Sequence, residues 1–122
     1  MSGEVLPHYD RKLVYVAGPY AHPDPVENTH IAIQVGERLL ACGFITPFVP
    51  HLTLIWHMVK PHGVDHWYDF DLAFLARCDA LLRFPGESSG ADKEIVFAKK
   101  RNIPVFLNEG ACIAWAQHSL DF

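Results

Sequence analysis

The chain has 122 residues, half of them hydrophobic and a fifth charged, with a formal net charge of -4. That length suits one domain with a continuous core, and the composition argues against disorder. The absence of a basic surplus argues against duplex DNA or RNA as a partner, although backbone amides at a helix N-terminus can bind a small anion whatever the global charge.

Residues 1–11 read as a flexible leader and 12–122 as the domain. The leader lacks an apolar stretch of signal-peptide length, and no apolar run reaches membrane-spanning length, so the expectation is a cytoplasmic protein with no membrane partner. Leu13 to Ala17 is an apolar run ending at Gly18-Pro19, the pattern of a buried strand entering a loop. A helix follows from Pro25 or Val26. Its Ala32, Val35, Gly36, Leu39 and Leu40 recur at helical spacing, and Gly43 stops it.

Phe44 to Thr46 reads as a second strand, cut short by Pro47 and Pro50, and residues 47–66 as irregular. A helix is predicted over Asp65–Arg77, a strand over Ala80–Phe84, a helix over Ala91–Arg101, a strand over Ile103–Leu107 and a last helix over Glu109–His118. Alternating strands and helices at this spacing predict a single α/β domain, Rossmann/flavodoxin-like. Its mainly parallel sheet of about four to five strands is sandwiched by helices. Ligands of such sheets sit beyond the strands' carboxyl ends, which draws attention to Gly18-Pro19-Tyr20 and to Ser88-Ser89-Gly90. Neither loop is a dinucleotide or triphosphate fingerprint.

Cys42, Cys78 and Cys112 are odd in number and far apart, each among apolar residues, and read as buried free thiols. Two acids interrupt apolar stripes. Glu94 falls between Ala91 and Ala98, about a turn inside a helix N-terminus, where the macrodipole can keep a carboxylate ionised. Asp71 falls four residues after Trp67 and four before Leu75. An acid in such a place is costly unless paired or functional. The competing reading is that both acids sit at a stripe's edge and make ordinary salt bridges or caps.

Val14 to Tyr20, Trp67 to Leu72, Cys78 to Leu82 and Ser88 to Glu94, in that order, resemble the nucleoside 2-deoxyribosyltransferase-like superfamily, over about residues 13–107. That superfamily holds base-exchanging transferases and hydrolases of nucleoside 5'-monophosphates. The resemblance implies Glu94 as the nucleophile of a covalent glycosyl-enzyme, Tyr15 as the hydroxyl that orients it, and Asp71 as the acid that handles the departing base. It implies no cofactor, a nucleotide or nucleoside as small-molecule partner, and a homodimer or homotetramer with shared sites.

Ser88, six before Glu94, stands where the nucleoside transferases have an acid. A carboxylate there would repel phosphate, whereas Ser88, Ser89 and the amides around Gly90 would attract it, so a 5'-monophosphate is the expected substrate. Tyr20, Trp56, Trp67 and Tyr68 are candidates to stack a base, Trp56 and Tyr20 foremost because they lie in loop-rich segments, beside Gly18 and Pro19. Residues 47–66 depart from the pattern and leave the base open. His62 and His66 have metal-ligand spacing, but Pro61 and Gly63 argue against a single regular helix, and no metal is expected.

Overall fold

A computed structural model describes residues 5–119. Strands β1 (Lys12–Ala17), β2 (Ile45–Phe48), β3 (Ala80–Arg83) and β4 (Val105–Phe106) form one sheet in the order β2-β1-β3-β4. Every adjacent pair is parallel. The helices are α1 (Pro25–Ala41), α2 (Thr53–Val59), α3 (Val64–Leu75), α4 (Ser89–Lys100) and α5 (Glu109–Ser119). This is the predicted α/β architecture, with four strands.

Side-chain alternation along β1 decides which layer receives what. Val14 and Val16 pack with Ala32, Val35 and Leu39 of α1 and Cys112 and Ala116 of α5. Tyr15 and Ala17 point the other way, into a cluster with Leu75 of α3 and Ala91 and Ala98 of α4. The period of two therefore sends the one tyrosine of β1 toward α4. The chain winds outward from β1 to β2 and then returns to β3 on β1's other side. The strand order thus reverses between β1 and β3, which opens a crevice beyond their carboxyl ends.

Several local expectations change. Pro47 lies inside β2 rather than ending it, opposite Val14. An edge strand tolerates a residue without an N–H because one of its rows of backbone groups needs no strand partner. Pro104 precedes a two-residue β4, also at an edge, and contributes its carbonyl to Leu81 N–H at 2.9 Å. Within the stretch expected to be irregular, Pro50–Leu52 forms a 3-10 turn that leads directly into α2. In α3 Leu75 is buried, but Phe74 is 41% exposed and stacks on Phe48. Cys78 and Cys112 are buried free thiols, whereas Cys42 is half-buried.

Of the expected leader, residues 1–4 lie outside the described residues. Residues 6–11 run beside β2, with Leu6 N–H donating to Gly43 O and Arg11 donating to Leu6 O and Ile45 O. Among the described residues no helix is long and apolar enough to cross a membrane.

Candidate active site

The crevice between β1 and β3 deepens into a cavity of about 390 Å³, walled by the loop after β1, the α2 and α3 helices and the start of α4. Two buried polar side chains hold the loop after β1. Asn28, 5% exposed on α1, donates from Nδ2 to Tyr20 O and His22 O, both at 2.9 Å. His51, 3% exposed, donates from Nε2 to Pro19 O at 2.8 Å. Gly18 is required at the start of this loop because a Cβ there would come within 2.1 Å of the Phe84 ring. Loop position is thus set by packing and by three hydrogen bonds to carbonyls.

On the opposite side Ser88 caps α4, its Oγ accepting from Ala91 N–H at 3.1 Å. That cap starts the helix so that Ala91, Glu94 and Ala98 turn inward. Glu94 is 8% exposed and meets the hydroxyl of Tyr15, which donates to Oε2 at 2.5 Å. This hydrogen bond ties β1 to α4. Asp71, from α3, lines the same cavity, and its Oδ1 is buried without a hydrogen-bond partner.

Electrostatics separate the two acids. Burial pushes Glu94 up, against the lowering pull of the Tyr15 hydrogen bond and the Arg83 guanidinium, to about 7 in all. Burial first, and then the neighbouring Glu94, raise Asp71 to about 8. Desolvation thus outweighs the helix macrodipole at Glu94, whose carboxyl stands at about 7 instead of staying fully ionised. The order of the two is nonetheless informative. Near neutral pH the proton resides first on Asp71, and Glu94 is the acid favoured as carboxylate, because only Glu94 has the hydroxyl and the nearby cation. The hydroxyls of Tyr15, Tyr20 and Tyr68 are all held above their ordinary value, by burial first and then by these carboxylates.

Of the residues singled out from sequence, Gly18, Tyr20, Trp67, Asp71, Ser88, Gly90 and Glu94 line the cavity. Tyr15 lies behind Glu94, fully buried. Pro19 and Ser89 are not in the wall; Pro19 instead offers its carbonyl to His51. Trp56 is also displaced: it is 53% exposed and packs edge-on against Trp67 and Phe70 outside the cavity. His51, His57 and Tyr68 also stand in the wall. Among the described residues no Lys or Arg lines it. Among the described residues no group of three His, Cys, Asp or Glu is placed to hold a metal. His62 and His66 stack ring on ring at 4.0 Å.

Residues 12–108 match the domain family described as "Domain of unknown function (DUF7768)". The chain belongs to that family. No curated protein matches this DUF7768 chain. Among solved structures it is similar to a 2-deoxyribosyltransferase from the psychrotolerant bacterium Bacillus psychrosaccharolyticus, with a TM-score of 0.53 and 21% sequence identity. That match covers 76% of this chain and 69% of the other. At that identity the likeness establishes a shared fold, and the DUF7768 site must be argued from its own side chains.

Proposed function

We propose that the chain cleaves the N-glycosidic bond of a nucleoside 5'-monophosphate through a covalent glycosyl-enzyme on Glu94. The observation that carries this reading is the buried Glu94 carboxyl, hydrogen-bonded by Tyr15 and sharing its cavity with the more basic Asp71. A retaining glycosidic mechanism needs one carboxylate to attack and a second group to protonate the leaving atom. In the first step a Glu94 oxygen bonds to C1' and the C1'–N bond breaks. Its electron pair goes to the base, which takes the Asp71 proton and leaves neutral. Water then attacks C1', the bond to Glu94 breaks, and the water's proton returns to Asp71. The fold shared with a 2-deoxyribosyltransferase supports the same class of bond chemistry.

Ser88 and Gly90, at the α4 N-terminus, support a phosphate at the sugar's far end. A wall with no Lys or Arg among the described residues favours a second reading, a free nucleoside whose base is exchanged. Incubation with a panel of ribo- and 2'-deoxynucleosides and their 5'-monophosphates, scored for free base by chromatography, separates these. Release from monophosphates in water supports hydrolysis, and release only when an acceptor base is supplied supports exchange. Binding without release identifies a nucleotide-binding module instead and removes the enzyme reading.

The chain is also proposed to work as a homodimer or homotetramer. Leu52, Ile55 and Val59 form an exposed stripe on and beside α2, the helix whose inner side walls the cavity. Exposed apolar patches of this kind mark interaction surfaces.

A further inference from the structure

His57 lines the cavity from α2, in the stretch that departs from the superfamily pattern. Its Nδ1 accepts two hydrogen bonds, from Trp67 Nε1–H at 2.8 Å and from the backbone N–H of His62 at 3.2 Å. An indole nitrogen and a peptide nitrogen can only donate. Nδ1 must therefore present a lone pair, and the ring proton sits on Nε2. Among the described residues that N–H has no partner, and it is not sealed from solvent. His51, on the same wall, spends its nitrogens the opposite way, giving its Nε2–H to Pro19 and leaving Nδ1 without a partner.

We propose that His57 is a specificity-determining residue that donates from Nε2 to a hydrogen-bond acceptor on the nucleobase, a ring nitrogen or a carbonyl oxygen. Trp67 is its positioning residue. The indole N–H is consumed in fixing the imidazole, so Trp67 acts on the ligand through His57 as well as through its ring. In a mostly apolar pocket, a few fixed polar groups decide orientation and selection. A donor whose acceptor is missing is left unpaired, which makes discrimination sharper than the bond's net worth. This inference rests on the cavity being a nucleoside or nucleotide site.

Two measurements on the full chain test it. Long-range proton–nitrogen NMR should show His57 as the Nε2–H tautomer in the free protein; the Nδ1–H tautomer overturns the inference outright. Binding is then measured for the 5'-monophosphates of 2'-deoxyadenosine, its 3-deaza and 7-deaza analogues, 2'-deoxyuridine and its 4-deoxo analogue. The wild type should lose about tenfold in affinity when one particular acceptor is deleted. His57→Phe should bind parent and analogue alike, and His57→Gln, which keeps an N–H donor, should restore part of the preference. Trp67→Phe should narrow the preference and alter the His57 nitrogen shifts together. Deletions that cost the same in wild type and His57→Phe overturn this inference while leaving the proposed function standing. Failure of every nucleoside and nucleotide to bind removes both.

Discussion

Replacing Tyr15 with Phe should raise the pKa of Glu94 and put the proton on the wrong acid. Tyr15 is fully buried with its ring near Phe48, so the substitution keeps the packed ring and deletes one hydroxyl. That hydroxyl donates to Glu94 Oε2 at 2.5 Å and holds the carboxyl down against the effect of burial. A hydrogen bond to an ionised group is worth about 1.5–3 kcal/mol, and one pKa unit is about 1.4 kcal/mol. Its loss should lift Glu94 by about one to two units, from about 7 to at or above the level of Asp71, which stands at about 8. Near neutral pH the nucleophile would then be mostly protonated, and Asp71 would lose its place as the acid that keeps its proton longest. The assay is a carbon-13 NMR titration of side-chain-labelled glutamate, with Glu94→Gln identifying the resonance. An upward shift in Tyr15→Phe is the expected result, with base release relative to wild type depressed most at neutral pH and the deficit closing as pH rises. A Glu94 midpoint that stays put or moves down would refute the reasoning.

The acid pair also sets a pH dependence of stability. Both folded-state values lie above the ordinary ones, 4.5 for Glu94 and 3.8 for Asp71, so the native chain binds more protons than the unfolded chain in between. Stability should be full below those ordinary values and fall as pH rises through about 7 to 8. Calorimetry should accordingly find Glu94→Gln more stable than wild type at alkaline pH and nearly equal in acid; marked destabilisation at both would mean a structural ion pair. Ser88→Asp keeps a capping oxygen but adds charge, so calorimetric titration should show weakened monophosphate binding with nucleoside binding retained. Ser88→Ala should instead cost about 1 kcal/mol of helix capping, read as a denaturation midpoint. Gly18→Ala would drive a Cβ to 2.1 Å from the Phe84 ring, 5.7 Å from His51. It should destabilise by about 1–3 kcal/mol and weaken binding. Charged residues in place of Ile55 and Val59 should convert the oligomer to monomers in light scattering, and a monomeric wild type contradicts the assembly reading.

Sequence pattern carried the α/β class and both acids, for identifiable reasons. Apolar runs and helical spacing are local signals, and a carboxylate between Ala91 and Ala98 stands out against them. Tyr15 was different: a tyrosine in an apolar strand looks like core, and only the resemblance gave it a role. The α2 helix was hidden because nothing caps it, its N-terminal neighbour being Leu52 with no side-chain bond, and because Trp, His and Val are middling helix formers. Trp56 was misplaced for the same reason, since the helix rotates it outward against Trp67. His51 and His57 could not be assigned from sequence, because their tautomers follow from partners on other elements, Pro19 and Trp67. The pKa order of Glu94 and Asp71 likewise depends on three-dimensional burial that periodicity does not report.

The proposed mechanism turns on a covalent bond between Glu94 and a sugar C1'. It is tested most directly by intact-protein mass spectrometry after rapid quenching with a 2'-deoxynucleoside 5'-monophosphate that releases base. A deoxyribosyl-phosphate adduct is expected, mapped by peptide fragmentation to Glu94 and absent in Glu94→Gln. Undiminished base release by Glu94→Gln, or an adduct on another residue, would contradict it.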